Sequence, residues 1–179
     1  MGAWGITSRE SDAGLDTLAL IETDILKPIG FKYFDVKSVM EFCKDRIIED
    51  LRREYDPYLK SKKLTKKVFN ELLQGNIDVM FPSHYSTAVL LVAECLVAFI
   101  EKGVFVINDY ESKMDMEISK FIFTNSVLDE LLQELRKLLN PTHDAYTSWL
   151  DDNIRQEWIK HVKMMCDSIE TLKRGSGYE

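Results

Sequence analysis

Cysteine is scarce in this chain and never closely spaced: Cys43, Cys95 and Cys166 stand far apart, with no Cys-x-x-Cys pair. An odd count without near neighbours argues against a disulfide framework and leaves a thiol redox site or a zinc knuckle unsupported. Each cysteine falls among apolar residues, as a small buried hydrophobe does, and the reducing cytoplasm is the expected compartment. Basic charge is short as well. The 23 Lys and Arg are outnumbered by 30 Asp and Glu, a net charge of −7 that phosphate backbones repel, so nucleic acid is not an expected partner. The one basic cluster, Lys60, Lys62, Lys63, Lys66 and Lys67, follows Pro57 and reads as a solvated connection more readily than as a docking patch for an acidic partner.

Long apolar runs are missing too. The greasiest stretch, Ala88 to Ala93, is interrupted by Glu94 and resumes from Cys95 to Ile100, short of the roughly 18 consecutive apolar residues of a membrane span. The opening lacks the basic-then-apolar pattern of a secretory signal, and its Met-Gly start has Ile6 where myristoylation wants Ser or Thr. No membrane association is expected. With 8 glycines and 4 prolines in 179 residues, neither disorder nor a fibrous architecture is indicated.

Chemical motifs are as sparse as cysteine. There is no phosphate-binding glycine loop, no dinucleotide fingerprint and no nucleophile elbow. A triad can assemble from distant positions, but nothing in the order of residues nominates a nucleophile. Asp109, Glu111, Asp115 and Glu117 superficially suggest a calcium loop. Met114 stands where the sharp turn needs glycine, and Lys120 where a bidentate glutamate belongs, so that reading fails. Glu157 and His161 share a helix face four residues apart, but the Glu-x-x-His and His-Glu-x-x-His spacings of metal sites are absent. Neither a metal nor a cofactor is expected.

What the chain has in quantity is helical patterning. A first helix is expected from Ser11 or Asp12 to about Leu26, with Leu15, Leu18, Ala19, Ile25 and Leu26 inward and Pro28 and Gly30 stopping it. Val36, Val39, Met40, Cys43, Ile47, Ile48 and Leu51 trace one face of a second, broken by Pro57. A shorter helix is expected over 65–74, then a central one over 83–102 that is apolar on nearly every side and so must be surrounded. Val104 to Ile107 fits either a short strand near 104–108 or a buried extended connector. Ser126 opens a leucine-rich amphipathic helix that ends at Asn140-Pro141. A last helical stretch covers 144–173, interrupted near Asp151-Asp152, with Trp149, Ile154, Trp158, Val162, Met165 and Ile169 inward. The expectation is an all-α fold: one domain, residues 1–173, as a bundle of about six helices, followed by a flexible tail at 174–179.

Few side chains invite a functional reading. Glu94 is foremost, because a charge inside an apolar helix costs several kcal/mol unless paired or neutralised. The preferred structural reading puts it with Ser83, Thr87 and Glu101 on a narrow polar edge of the central helix. His84, and the pair Glu157 and His161, are the other groups that a pocket between helices would recruit. Asp12 and Asp16 sit one helical turn apart near Trp4; they read as a small acidic surface site or, preferably, as a cap and a first-turn charge that suits the helix dipole.

The opening Met1, Gly2, Trp4 and Gly5, followed by Asp12 and Asp16, resembles the bacterial domain-of-unknown-function 4259 family, whose members begin Met-Gly-x-Trp-Gly. The likeness is confined to residues 1–16, and between tryptophan and aspartate the chain has Thr7 to Ser11 instead of the family's usual segment. It implies a bacterial source and a name, with no catalytic residue to transfer. The function expected from all this is a non-catalytic cytoplasmic interaction module, similar to an immunity or regulatory protein, whose partner is another protein. The alternative is a small hydrolase or small-molecule-binding protein with a pocket between helices. Homo-oligomerisation through the helix from Ser126 to Leu139 is compatible with both.

Overall fold

The computed structural model describes residues 6–55, 82–109, 114–147, 149 and 151–175. Trp4, the helix expected over 65–74 and the Lys60 to Lys67 cluster lie outside them. The path begins with a 3-10 turn, Ser8–Glu10, after which Ser11 becomes extended and its hydroxyl oxygen accepts the Gly14 N–H at 3.1 Å. That caps helix α1, Asp12–Ile21. The coil then widens into a π turn over Glu22–Leu26 and tightens into a 3-10 turn over Lys27–Ile29. Gly30 (φ 64°) and Phe31 (φ 56°) are both left-handed and reverse the chain, the Phe31 N–H donating to the Leu26 carbonyl at 2.9 Å.

A two-residue strand β1, Phe34–Asp35, leads into helix α2, Val36–Tyr55. Helix α3, Pro82–Lys102, is the hydrophobic rod expected at 83–102, and Gly103 (φ 70°) ends it by donating its N–H to the Phe99 carbonyl at 2.8 Å. The segment after it is a strand rather than a connector: β2, Phe105–Asp109, pairs antiparallel with β3, Met114–Ile118, placing Phe105 opposite Ile118 and Ile107 opposite Met116. A second small sheet joins β4, Phe121–Ile122, parallel to β1, with Phe34 opposite Phe121. Three helices complete the chain: α4, Asn125–Leu138, α5, Asp144–Thr147, and α6, Asp152–Gly175.

The result is a mainly-α single domain in which α1, α2, α4 and α6 pack around α3. Tyr85, Ala88, Val89, Leu91, Val92, Ala93, Cys95 and Leu96 of α3 are all buried, as an enclosed rod requires. Several expectations change at the edges. Leu15 is 47% exposed and Ala19 is exposed, because the inward positions of α1 go to Gly14 and Ile21 instead. Ile154, in the first turn of α6, is exposed as well. The cap of α4 is Thr124, whose hydroxyl accepts from the Val127 N–H at 3.3 Å, two residues ahead of Ser126. Helix α6 continues through Arg174, which donates to Glu170 at 3.2 Å, so residues 174 and 175 belong to it and not to a tail. Leu128, Leu131, Leu132, Leu135 and Leu138 of α4 face inward, so that leucine stripe builds the core.

Candidate functional site

The most concentrated polar chemistry lies where the turn before α1 crosses α3 and α6. Thr7 and Glu10 fold this turn locally: the Thr7 N–H and the Thr7 hydroxyl each donate to Glu10 Oε2 at 2.9 Å, both bonds running from Thr7 to the carboxylate three residues on. Those two hydrogen bonds, backbone first, hold the Glu10 carboxyl below its ordinary range, with His161 adding a smaller electrostatic pull. The turn then delivers Ser8, which is buried, onto Glu94 at the middle of α3. The Ser8 N–H donates to Glu94 Oε1 at 2.9 Å, and the Ser8 hydroxyl donates to Oε2. From the far side His161 Nε2, on α6, stands 3.0 Å from the same Oε1.

Burial decides how much these contacts matter. The Glu94 side chain is 11% exposed and that of His161 15%, so the carboxylate is largely withdrawn from water and its lone pairs are met by protein donors instead. Arg9, the next residue of the turn, lays its guanidinium 4.9 Å over the Phe105 ring and also reaches the Cys95 thiol. Cys95 does not become a nucleophile through that contact. Its desolvation outweighs the nearby cation and pushes the thiol up to about 12, as burial does for Cys43, while Cys166 is raised in the same direction.

The order of the three central groups limits what they can do. In a Ser-His-Asp/Glu triad the imidazole stands beside the hydroxyl, with the carboxylate behind the imidazole. Here the carboxylate lies in the middle, so the Ser8 hydroxyl faces Glu94 and His161 approaches the other oxygen. The arrangement fastens three segments of chain to one another.

Among the described residues singled out from sequence, Glu94 and His161 are the two brought into hydrogen-bonding contact. His84 lies on α3 itself, ten residues or about 15 Å of helix rise from Glu94, and so does not converge with it. Glu157 is exposed, and the contact His161 makes is with Glu94 rather than with its neighbour one turn back. Asp12 is half-buried and Asp16 exposed in the first turns of α1, and the capping oxygen there is that of Ser11. Ser8 and Arg9 were not anticipated. The local signal for their turn is the Thr7-x-x-Glu10 pattern, which the sequence reading did not use, and nothing local points to α3. Among the described residues, no group of three His, Cys, Asp or Glu side chains is placed to hold a metal ion. Compared with known proteins, the chain matches no family model, no curated protein and no solved structure.

Proposed function

We propose that this protein is a non-catalytic interaction module of a bacterial cytoplasm, acting on another protein as an immunity or regulatory protein does. The observation that supports this is the state of Glu94. Glu94, a largely buried carboxylate that could serve as a catalytic acid or base, has both oxygens engaged by Ser8 and His161, and the Ser8 hydroxyl donates to the carboxylate rather than to an imidazole. Thiols raised by burial offer no nucleophile in its place. A net charge of −7 suits a protein partner with a basic face better than a nucleic acid. The Met-Gly-x-Trp-Gly opening supports the bacterial source.

A second reading, a small hydrolase or small-molecule-binding protein, draws its support from the Glu94 and His161 contact at 3.0 Å. The two readings part in one comparison. Tagged protein expressed in its native cell is purified, and the same preparation is assayed against ester, amide and phosphoester substrates. The interaction reading expects a complex of fixed stoichiometry with one protein and no turnover. Turnover that disappears in the His161→Ala variant would overturn it in favour of the hydrolase.

A further inference from the structure

Ser8 and Arg9 occupy a seat that their own side chains define. Glu94 takes two donors from a single residue, the N–H and the β-hydroxyl of Ser8, and the next residue sets its guanidinium on Phe105. Both contacts come from two adjacent residues of one short turn. An incoming segment with a hydroxyl residue followed by arginine would restore each hydrogen bond and leave no buried charge unmatched, whereas lifting the turn without replacement strands the carboxylate.

We propose that residues 6–11 form a releasable strap and that the slot beneath it, built from Glu94, His161 and Phe105, recognises a Ser-Arg or Thr-Arg segment of a protein partner. This rests on the interaction reading and gives the partner's chemistry. The strap is then an internal stand-in for that segment. The acidic carboxylate and the face of Phe105 complement its hydroxyl and its cation, and the net negative charge of the whole chain draws in a basic peptide. The strap lies close on the first turn of α1, where a Cβ at Gly14 would stand 1.8 Å from the Ser8 carbonyl oxygen.

Cys95 reports on the strap, since it is fully buried and lies within reach of Arg9. Ser8→Asp sets a second carboxylate against Glu94 and should eject the strap. Iodoacetamide labelling mapped by mass spectrometry is expected to modify Cys95 in this variant while Cys43 and Cys166 stay protected. A synthetic peptide of sequence Ile-Thr-Ser-Arg-Glu-Ser is expected to suppress that labelling, and the same peptide with alanine in place of serine-3 or arginine-4 is not. Ser8→Ala, the milder variant, should speed Cys95 labelling about tenfold by removing one hydrogen bond. The proposal is overturned if Cys95 stays unlabelled in both variants, if all three thiols react together, or if the peptide gives no protection. Loss of peptide protection with selective Cys95 labelling would remove the slot alone, because the stoichiometric complex that tests the interaction reading is measured on the unmodified protein.

Discussion

Gly14 has no room for a side chain. A Cβ built there would stand 1.8 Å from the Ser8 carbonyl oxygen, a backbone atom that cannot swing aside as a flexible side chain would. Gly14→Ala is therefore expected to cost about 3 kcal/mol, at the upper end for overpacking, read as a lowered urea midpoint at unchanged slope. Gly14 also explains the exposure of Leu15: the inward position at this turn is taken by the residue that lets the strap approach. Glu10 contributes in a pH-dependent way. Its folded pKa lies below its ordinary value of 4.5, so its contribution is complete above that pH and is lost as pH falls through the folded value. Glu10→Gln is expected to flatten the acid limb of the stability profile, measured by thermal unfolding at a series of pH values, while leaving the neutral-to-alkaline limb parallel to that of the unaltered protein.

At the scale of elements, two devices hold the bundle in register. One is a file of rings: Phe121 stacks on Phe34 at 4.7 Å and on Phe99 at 4.5 Å, with Phe105 edge-on at 6.4 Å. It binds the two-residue strands β1 and β4 to α3 and β2, and it compensates for strands too short to persist by backbone pairing alone. Phe121→Ala is expected to cost about 3 kcal/mol in chemical denaturation, more than its partial exposure alone suggests, because three rings lose a neighbour. The other device is the capped, leucine-lined α4. Thr124→Ala should cost about 1 kcal/mol, whereas Ser126→Ala should cost almost nothing, and the pair of measurements separates the observed cap from the one the sequence suggested. This contrast shows what was legible. Helices with several turns of apolar spacing, α2, α3 and α6, stand close to where periodicity put them. The strands β1 and β4 were invisible, since two residues have no period to read, whereas β3 was missed although Met114 to Ile118 alternate apolar and polar with the period of a strand. Glu94 was legible as an anomaly because an acid in an apolar rod is costly. Its partner Ser8 was not, because 86 positions of chain separate them and spacing carries no information at that range.

For the molecule as a whole, three thiols sealed in one core set an alkaline boundary. The Cys43 and Cys95 thiols hold their protons to about 12 when folded, against an ordinary 9.0, so the unfolded chain ionises first and stability declines as pH rises between those values. A falling unfolding temperature between pH 9.0 and about 12 is expected, with a shallower fall in Cys43→Ala, a variant whose smaller residue lowers stability uniformly at neutral pH. Ion pairs between α4 and α6, Arg136 with Glu170 and Lys173 with Asp129, are solvent-exposed and add little to this profile.

The junction at Glu94 also has an order in time. The serine that meets it emerges early in synthesis and the imidazole late, 67 positions after the glutamate itself. A nascent chain still short of residue 161 offers that carboxylate the two Ser8 donors alone, and its third partner arrives only with α6.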